Sequence, residues 1–299
     1  VTSYLEGKLS ANAKDATAVV KAVDRILQHA DEIRKLSVRA NADTPEDAQR
    51  ARTLGAEGIG LCRTEHMFLG DRRSFVERVV LAEDETEQNL VISEMQPLQQ
   101  ADFVGILKAM SGYPVTVRLL DPPLHEFLPG LASLSAEMAT AEALNTTITT
   151  RDKAIFAAVK RLHEANPMLG LRGVRLGILI PELFKMQVRA LVLASIEVRK
   201  AGFDPKPELM IPLVATQREL LYLRETLESE IKKTLMGADL DMPIGTMIET
   251  PRAAITATRL ADYADFFSYG TNDLTQLTWS FSRDDVESTF LSRYLDLEL

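Results

Sequence analysis

Arg63, Arg118, Arg172 with Arg175, Glu249 and the pair Asn272-Asp273 each sit at or just past the end of a short apolar, strand-like run. If those runs are parallel strands, their ends meet on one rim, where parallel α/β folds collect their chemistry. Guanidinium groups grip phosphate or carboxylate through a planar fork. Glu249 and Asp273 add two hard oxygen donors, a set suited to Mg²⁺, which completes its shell with water and substrate oxygens. The pattern therefore points to an anionic ligand handled beside a hard divalent cation.

Taken one at a time, an arginine or glutamate after a strand is a surface ion pair, and only the shared strand-end position argues for more. The other chemically able residues do not share it. His29, His66, His125 and His163 lack metal-ligand spacing, with His29 and His163 read as helix-surface residues. Met110, Met168, Met186, Met210, Met236 and Met247 read as core filler. Cys62 lies inside an apolar run, where a buried inert thiol is expected.

The elements that must position the rim follow from periodicity. Residues 15–36 carry Val19, Val20, Val23, Ile26, Leu27, Ala30 and Ile33 at helical spacing. At residues 43–47 the sequence D-T-P-E-D starts a second helix, with Thr44 as N-cap and Pro45 at the first helical position. Helical patterns cover residues 75–110, interrupted by Pro97, and residues 151–165, 181–200, 216–235 and 252–261. Between them lie strand candidates at residues 37–42, 58–62, 114–120, around Leu171, and at 209–214, 244–248 and 265–269.

Seven strands alternating with helices imply a parallel sheet, one strand short of the eight that close a (β/α)8 TIM-type barrel. The expected fold is thus an α/β barrel truncated before its last strand, with an open doubly wound sheet as the alternative.

Composition bounds the rest. With 34 basic and 43 acidic residues the formal charge is −9, which argues against surfaces built for nucleic acid or anionic membrane. Any anionic ligand must meet a local cationic cluster. A single cysteine excludes an internal disulfide and suits a reducing, cytoplasmic setting. The longest apolar runs fall well short of the roughly 20 residues that span a bilayer. The start at Val1 and the missing strand suggest a piece of a longer protein.

Five segments carry a resemblance: G-I-G-L-C-R-T-E-H-M-F (58–68), V-R-L-L-D-P-P-L-H-E-F-L-P (117–129), N-P-M-L-G-L-R-G-V-R (166–175), G-T-M-I-E-T-P-R-A-A (245–254) and F-F-S-Y-G-T-N-D-L-T-Q (266–276). Together they resemble the phosphoenolpyruvate/pyruvate-binding barrel of the pyruvate phosphate dikinases, over about residues 36–283. Phosphoenolpyruvate synthase and enzyme I of the sugar phosphotransferase system look similar around G-T-N-D-L-T-Q. The D-P-P-L-H-E-F-L-P, R-T-E-H-M-F and S-F-S-R-D-D segments favour the dikinases.

The resemblance implies that Arg118, Arg172 and Arg189 hold the phosphoryl group and carboxylate and that Glu249 and Asp273 bind Mg²⁺. Gly270, Thr271 and Asn272 then contribute to substrate binding, and Arg283 closes over it. Arg189, in M-Q-V-R-A, reads from pattern alone as a helix-surface residue.

The implied reaction is phosphoryl transfer between a phosphohistidine and pyruvate to give phosphoenolpyruvate. In a full-length dikinase this serves the conversion of ATP, pyruvate and phosphate to AMP, phosphoenolpyruvate and pyrophosphate. None of the four histidines has the context of the family's phosphohistidine, which sits on a separate carrier domain, and the family's proton-transfer cysteine lies beyond Leu299. Residues 1–36 would then be a linker helix from that carrier domain and residues 37–299 the incomplete barrel. The chain is expected to bind phosphoenolpyruvate or pyruvate without completing catalysis, and a homodimer is among the assemblies this allows. The alternatives are one of the two similar enzymes or a non-catalytic binding module.

Overall fold

Six short runs become strands, and the central ones, packed under helices, are largely buried, the environment that stabilises parallel ladders. The structure, a computed structural model, describes residues 14–299, and of these the side chains of residues 14–17, 283 and 284 are not described. The strands are β1 (Ala40–Asn41), β2 (Ile59–Arg63), β3 (Pro114–Arg118), β4 (Lys206–Ile211), β5 (Ile244–Ile248) and β6 (Phe267–Tyr269). They form one parallel sheet in the order β1-β2-β3-β4-β5-β6, so each strand lies beside its sequence neighbour. That order is a singly wound α/β sheet and not the reversing order of a doubly wound one.

The seventh strand expected around Leu171 does not form. β3 and β4 pair directly over five positions, from Pro114↔Lys206 to Arg118↔Met210, leaving no slot between them. Residues 170–172 instead link a 3-10 turn (Pro167–Leu169) to a short helix (Gly173–Leu179). They are anchored by isolated bonds: Gly173 N–H to Asp121 O at 2.8 Å and Val174 N–H to Pro212 O at 3.0 Å. The alternation in L-G-L-R-G-V-R mimics a strand, but Gly173 adopts a left-handed φ of 53° that turns the chain out of the extended region. The parallel sheet of six strands fits part of a TIM-type barrel; among the described residues β1 and β6 are not paired to each other.

The helix starts follow the sequence closely. Thr44 Oγ1 accepts the Asp47 N–H at 3.1 Å, capping the Pro45–Thr53 helix, and Thr216 with Glu219 forms a reciprocal cap on the Gln217–Leu235 helix. Pro97 does not end its helix: Glu85–Ala109 runs through it, and the break falls earlier, at residues 82–84, where Asp84 caps the next turn.

The outer layer is organised by the Pro181–Lys200 helix, which packs on Glu85–Ala109 and Gln217–Leu235. It buries Phe184, Val188, Leu191 and Val198 among others, and its Gln187 Oε1 accepts the Leu120 N–H at 2.9 Å. Met110, Met186, Met210 and Met247 join the buried core, whereas Met236 is exposed at a left-handed helix end. Cys62 is fully buried in β2. The amphipathic helix Lys14–Ile33 forms as expected, with Val20 buried and Val19, Ile26 and Ile33 exposed. Residues 1–13 of the expected linker lie outside the described residues. No helix among the described residues is long and apolar enough to cross a membrane.

Candidate functional site

Because all six strands run the same way, their C-terminal ends share one edge. Arg63 and Arg118 are direct partners in the β2–β3 ladder, so their Cα atoms stand side by side. Arg118 is buried and its Nη2 donates to Glu65 Oε1, while its Nη1 lies 3.1 Å from Asp121 Oδ2. Arg63 remains more open: its backbone N–H and guanidinium both donate to Asp43, at 2.7 and 2.6 Å.

Arg172 links the far side. Its Nη2 is 2.6 Å from Asp121 Oδ2 and 3.1 Å from Asp273 Oδ2. Burial alone would lower the pKa of both Arg118 and Arg172. Asp121 leads the opposing attraction, joined by Glu65 and Glu249 at Arg118 and by Asp273 and Glu249 at Arg172, and both groups are held above the usual arginine range. Both guanidinium groups therefore stay charged.

Glu249 is buried immediately after β5, and its Oε1 accepts the Leu213 N–H at 2.6 Å. Leu213 holds a φ of 60°, an uncommon conformation for a bulky residue, and sits just past β4. Burial pushes the Glu249 carboxyl up to about 8; Asp121 and Asp273 add to the effect, while the Leu213 N–H and Arg118 oppose it.

Asp121, Glu249 and Asp273 each place a carboxylate oxygen within 4.8 Å of the others. Two glycines allow this approach. A Cβ on Gly270 would lie 2.6 Å from both Glu249 Cβ and Glu249 Oε2, and one on Gly173 would lie 2.7 Å from Leu213 Cβ and 3.0 Å from Asp121 Oδ1.

The donor set fits a hard cation. Fully ionised, Glu65, Asp121, Glu249 and Asp273 set four negative charges against the two of Arg118 and Arg172, leaving two unbalanced. Asp121 Oδ1 is buried with no hydrogen-bond partner among the described residues, an oxygen whose desolvation a bound cation would offset.

The residues expected from sequence divide. Arg118, Arg172, Glu249, Gly270 and Asp273 come together. Thr271 and Asn272 open the Thr271–Trp279 helix but are exposed and line a neighbouring apolar cleft of about 800 Å³ with Trp279, Phe281 and Tyr294. The helical step of about 100° per residue sends Asn272 and Asp273 in different directions.

Arg189 is a correction. Its guanidinium is spent on Glu182 at 2.8 Å, Glu230 at 2.7 Å and Gln96 at 3.3 Å, all on outer helices. It lies two positions from Gln187, whose side chain faces the sheet, and two helical steps point it away from the rim. Arg175 supports the loop instead of the rim, donating to the carbonyls of Leu169 and Gly170, both at 2.8 Å. The side chain of Arg283 lies outside the described residues.

Three contributors were missed. Asp121, the hub of the cluster, stands directly before Pro122 and Pro123, and its position three residues past Arg118 is the signal that could have found it. Glu65 lies two residues past Arg63 in sequence but pairs with Arg118. Glu164 Oε1 accepts the Leu171 N–H at 2.7 Å and so fixes the loop that carries Arg172.

Comparison with known proteins identifies the family. Residues 17–297 match the family described as PEP-utilising enzyme, PEP-binding domain. The chain is 48% identical over 276 residues to pyruvate, phosphate dikinase of Clostridium symbiosum, covering 91% of this chain and 31% of that protein. It is 48% identical over 279 residues to the chloroplastic pyruvate, phosphate dikinase of Mesembryanthemum crystallinum, covering 91% and 29% respectively. For the Rhizobium meliloti (strain 1021) protein of the same name the values are 48% over 274 residues, 90% and 30%. The chain thus spans about a third of the length of these relatives. A match across nearly all of its residues, joined to a parallel sheet whose strand ends gather arginines and acids, places the chain in the family of PEP-utilising enzymes, as their PEP-binding domain.

Proposed function

We propose that this chain is the substrate-binding part of a pyruvate phosphate dikinase, a transferase, and that it holds phosphoenolpyruvate or pyruvate at the strand-end rim with Mg²⁺. The observation that carries the reading is the Asp121–Glu249–Asp273 cluster, two of its carboxyls buried and the third half-buried, with its unpartnered Asp121 oxygen, beside Arg118 and Arg172. Asp121, Glu249 and Asp273 would hold the metal, and Mg²⁺ when bound supplies charge neutralisation for the substrate's enolate and phosphoryl oxygens.

The protein's own groups do the rest. Arg63, the more exposed guanidinium of the rim, is positioned by Asp43 to take the phosphoryl group or carboxylate. Arg118 and Arg172, fixed by their carboxylate partners, present a preorganised positive field that requires no rearrangement as charge develops on a transferring phosphoryl group. The phosphoryl donor is a phosphohistidine on a carrier domain of the same longer protein, which acts in the cytoplasm, and the sheet is part of a TIM-type barrel completed there. The names of the relatives favour the dikinase reaction over those of phosphoenolpyruvate synthase and enzyme I.

Titration calorimetry tests the binding claim. Phosphoenolpyruvate should bind in a Mg²⁺-dependent manner, and Asp273→Ala should weaken it; equal affinity in the two proteins would sink the metal assignment. In the longer protein, failure to form ATP from phosphoenolpyruvate, AMP and pyrophosphate with Mg²⁺ would exclude the dikinase reaction.

A further inference from the structure

Beside the rim, where the chain leaves β4 and β5, a cleft of about 350 Å³ is lined by Thr216, Arg218, Arg252, Thr256 and Arg259. Arg218 lies in the first turn of the Gln217–Leu235 helix, Arg252 in the Pro251–Ile255 helix three residues past Glu249, and Arg259 in the Ala257–Leu260 helix. Three segments thus bring one guanidinium each to a single concave surface.

Many arginines elsewhere in this acidic chain are matched to carboxylates, among them Arg63 with Asp43, Arg72 with Asp102, Arg189 with Glu182 and Glu230, and Arg224 with Glu228 and Asp265. Arg218, Arg252 and Arg259 have no side-chain hydrogen bond or ion pair among the described residues. The carboxylate nearest to Arg218 in sequence, Glu219, is committed to the cap, its Oε2 accepting the Ala215 and Thr216 N–H groups at 2.9 and 2.8 Å. The helix start is therefore already satisfied, and the attraction for an anion comes from the arginines. Unpaired like charges held together repel one another, a cost that a multiply charged anion removes.

We propose that this cleft is an anion site for a compact oligophosphate, a ligand whose several negative charges match three guanidinium groups and whose oxygens suit their planar forks. The site needs no metal and is separate from the Asp121–Glu249–Asp273 cluster, so it stands or falls independently of the proposed function.

The test is calorimetry of inorganic triphosphate against the chain in EDTA and low salt, with orthophosphate as the less charged comparison. Triphosphate should bind more tightly than orthophosphate, and its affinity should fall as salt is raised. Arg252→Gln or Arg259→Gln alone should weaken it by about tenfold, and Arg218→Gln/Arg252→Gln/Arg259→Gln should abolish binding, with unchanged thermal melting because all three side chains are exposed. Arg161→Gln, an exposed arginine on a distant helix, should leave binding intact. The inference is overturned by wild-type protein that does not bind triphosphate, by a triple variant that binds as well as wild type, or by Arg63→Gln weakening binding as much as the triple variant, which would move the ligand to the strand-end rim.

Discussion

Replacing Arg172 by methionine isolates the electrostatic balance of the rim. The substitution removes the contacts of Arg172 Nη2 with Asp121 at 2.6 Å and with Asp273 at 3.1 Å, and leaves Asp121 only Arg118 Nη1 at 3.1 Å. Three carboxylates and the Glu249 carboxyl would then face one guanidinium. Breaking a buried ion pair from one side costs about 3–5 kcal/mol. Because Asp273 retains 18% side-chain exposure, the lower end of that range applies, about 3 kcal/mol. For a chain of 299 residues the entropy of unfolding converts this to a fall in Tm of about 5 °C in EDTA.

Excess Mg²⁺ should reverse much of the fall, since removing a fixed positive charge from beside the acids strengthens their hold on a cation. A metal present at about 100 times its Kd stabilises a protein by about 2.7 kcal/mol, comparable to the loss. Differential scanning fluorimetry of wild type and Arg172→Met, with EDTA and with Mg²⁺, reads both effects. A Mg²⁺-induced rise in the variant no larger than in wild type would refute the shared cation, and an unchanged Tm in EDTA would refute the hub role of Arg172.

Other outcomes follow from individual groups. Glu164→Ala should weaken Mg²⁺-dependent phosphoenolpyruvate binding by loosening the loop before Arg172, whereas Glu164→Gln, which keeps an acceptor for the Leu171 N–H, should retain it. The loss should vanish in an Arg172→Met background; additive losses in this double-mutant cycle would separate Glu164 from Arg172. Glu249 titrates near 8 in the folded chain against an ordinary 4.5, so folding favours its protonated form. Its contribution to stability in EDTA is full below the ordinary value and is lost as pH rises through about 8, while Mg²⁺, competing with that proton, should bind more tightly at pH 8.5 than at pH 6.5. Mg²⁺ affinity that is flat across this range would contradict it. Burial pushes the Cys62 thiol far up, so iodoacetamide should label it only on unfolding, and rapid labelling of the native protein would show that β2 opens readily.

Local chemistry was legible wherever it depends on neighbours in the chain. Thr44 and Pro45 mark their helix start because an N-cap and the residues it serves are within one turn. Arg63, Arg118, Glu249 and Asp273 could be placed on a common rim because strand direction follows from β/α alternation, whereas Arg172 reaches it from a loop and not from the strand its pattern suggests, and the family could be read from five short segments. Asp121 escaped notice because its importance lies in reaching Arg118, Arg172, Glu249 and Asp273 at once, and those groups come together only when four chain segments converge.

The sequence by itself determined the parallel α/β class, the helix starts and the acid and arginine donors, since these rest on periodicity and residue type. Only the tertiary structure decided that the sheet has six strands here, because a glycine in the left-handed region and a direct β3–β4 ladder defeat the strand-like pattern around Leu171. It also turned Arg189 toward Glu182 and Glu230 and away from the site. In both cases the periodic pattern allows more than one outcome, and the partner across space selects among them.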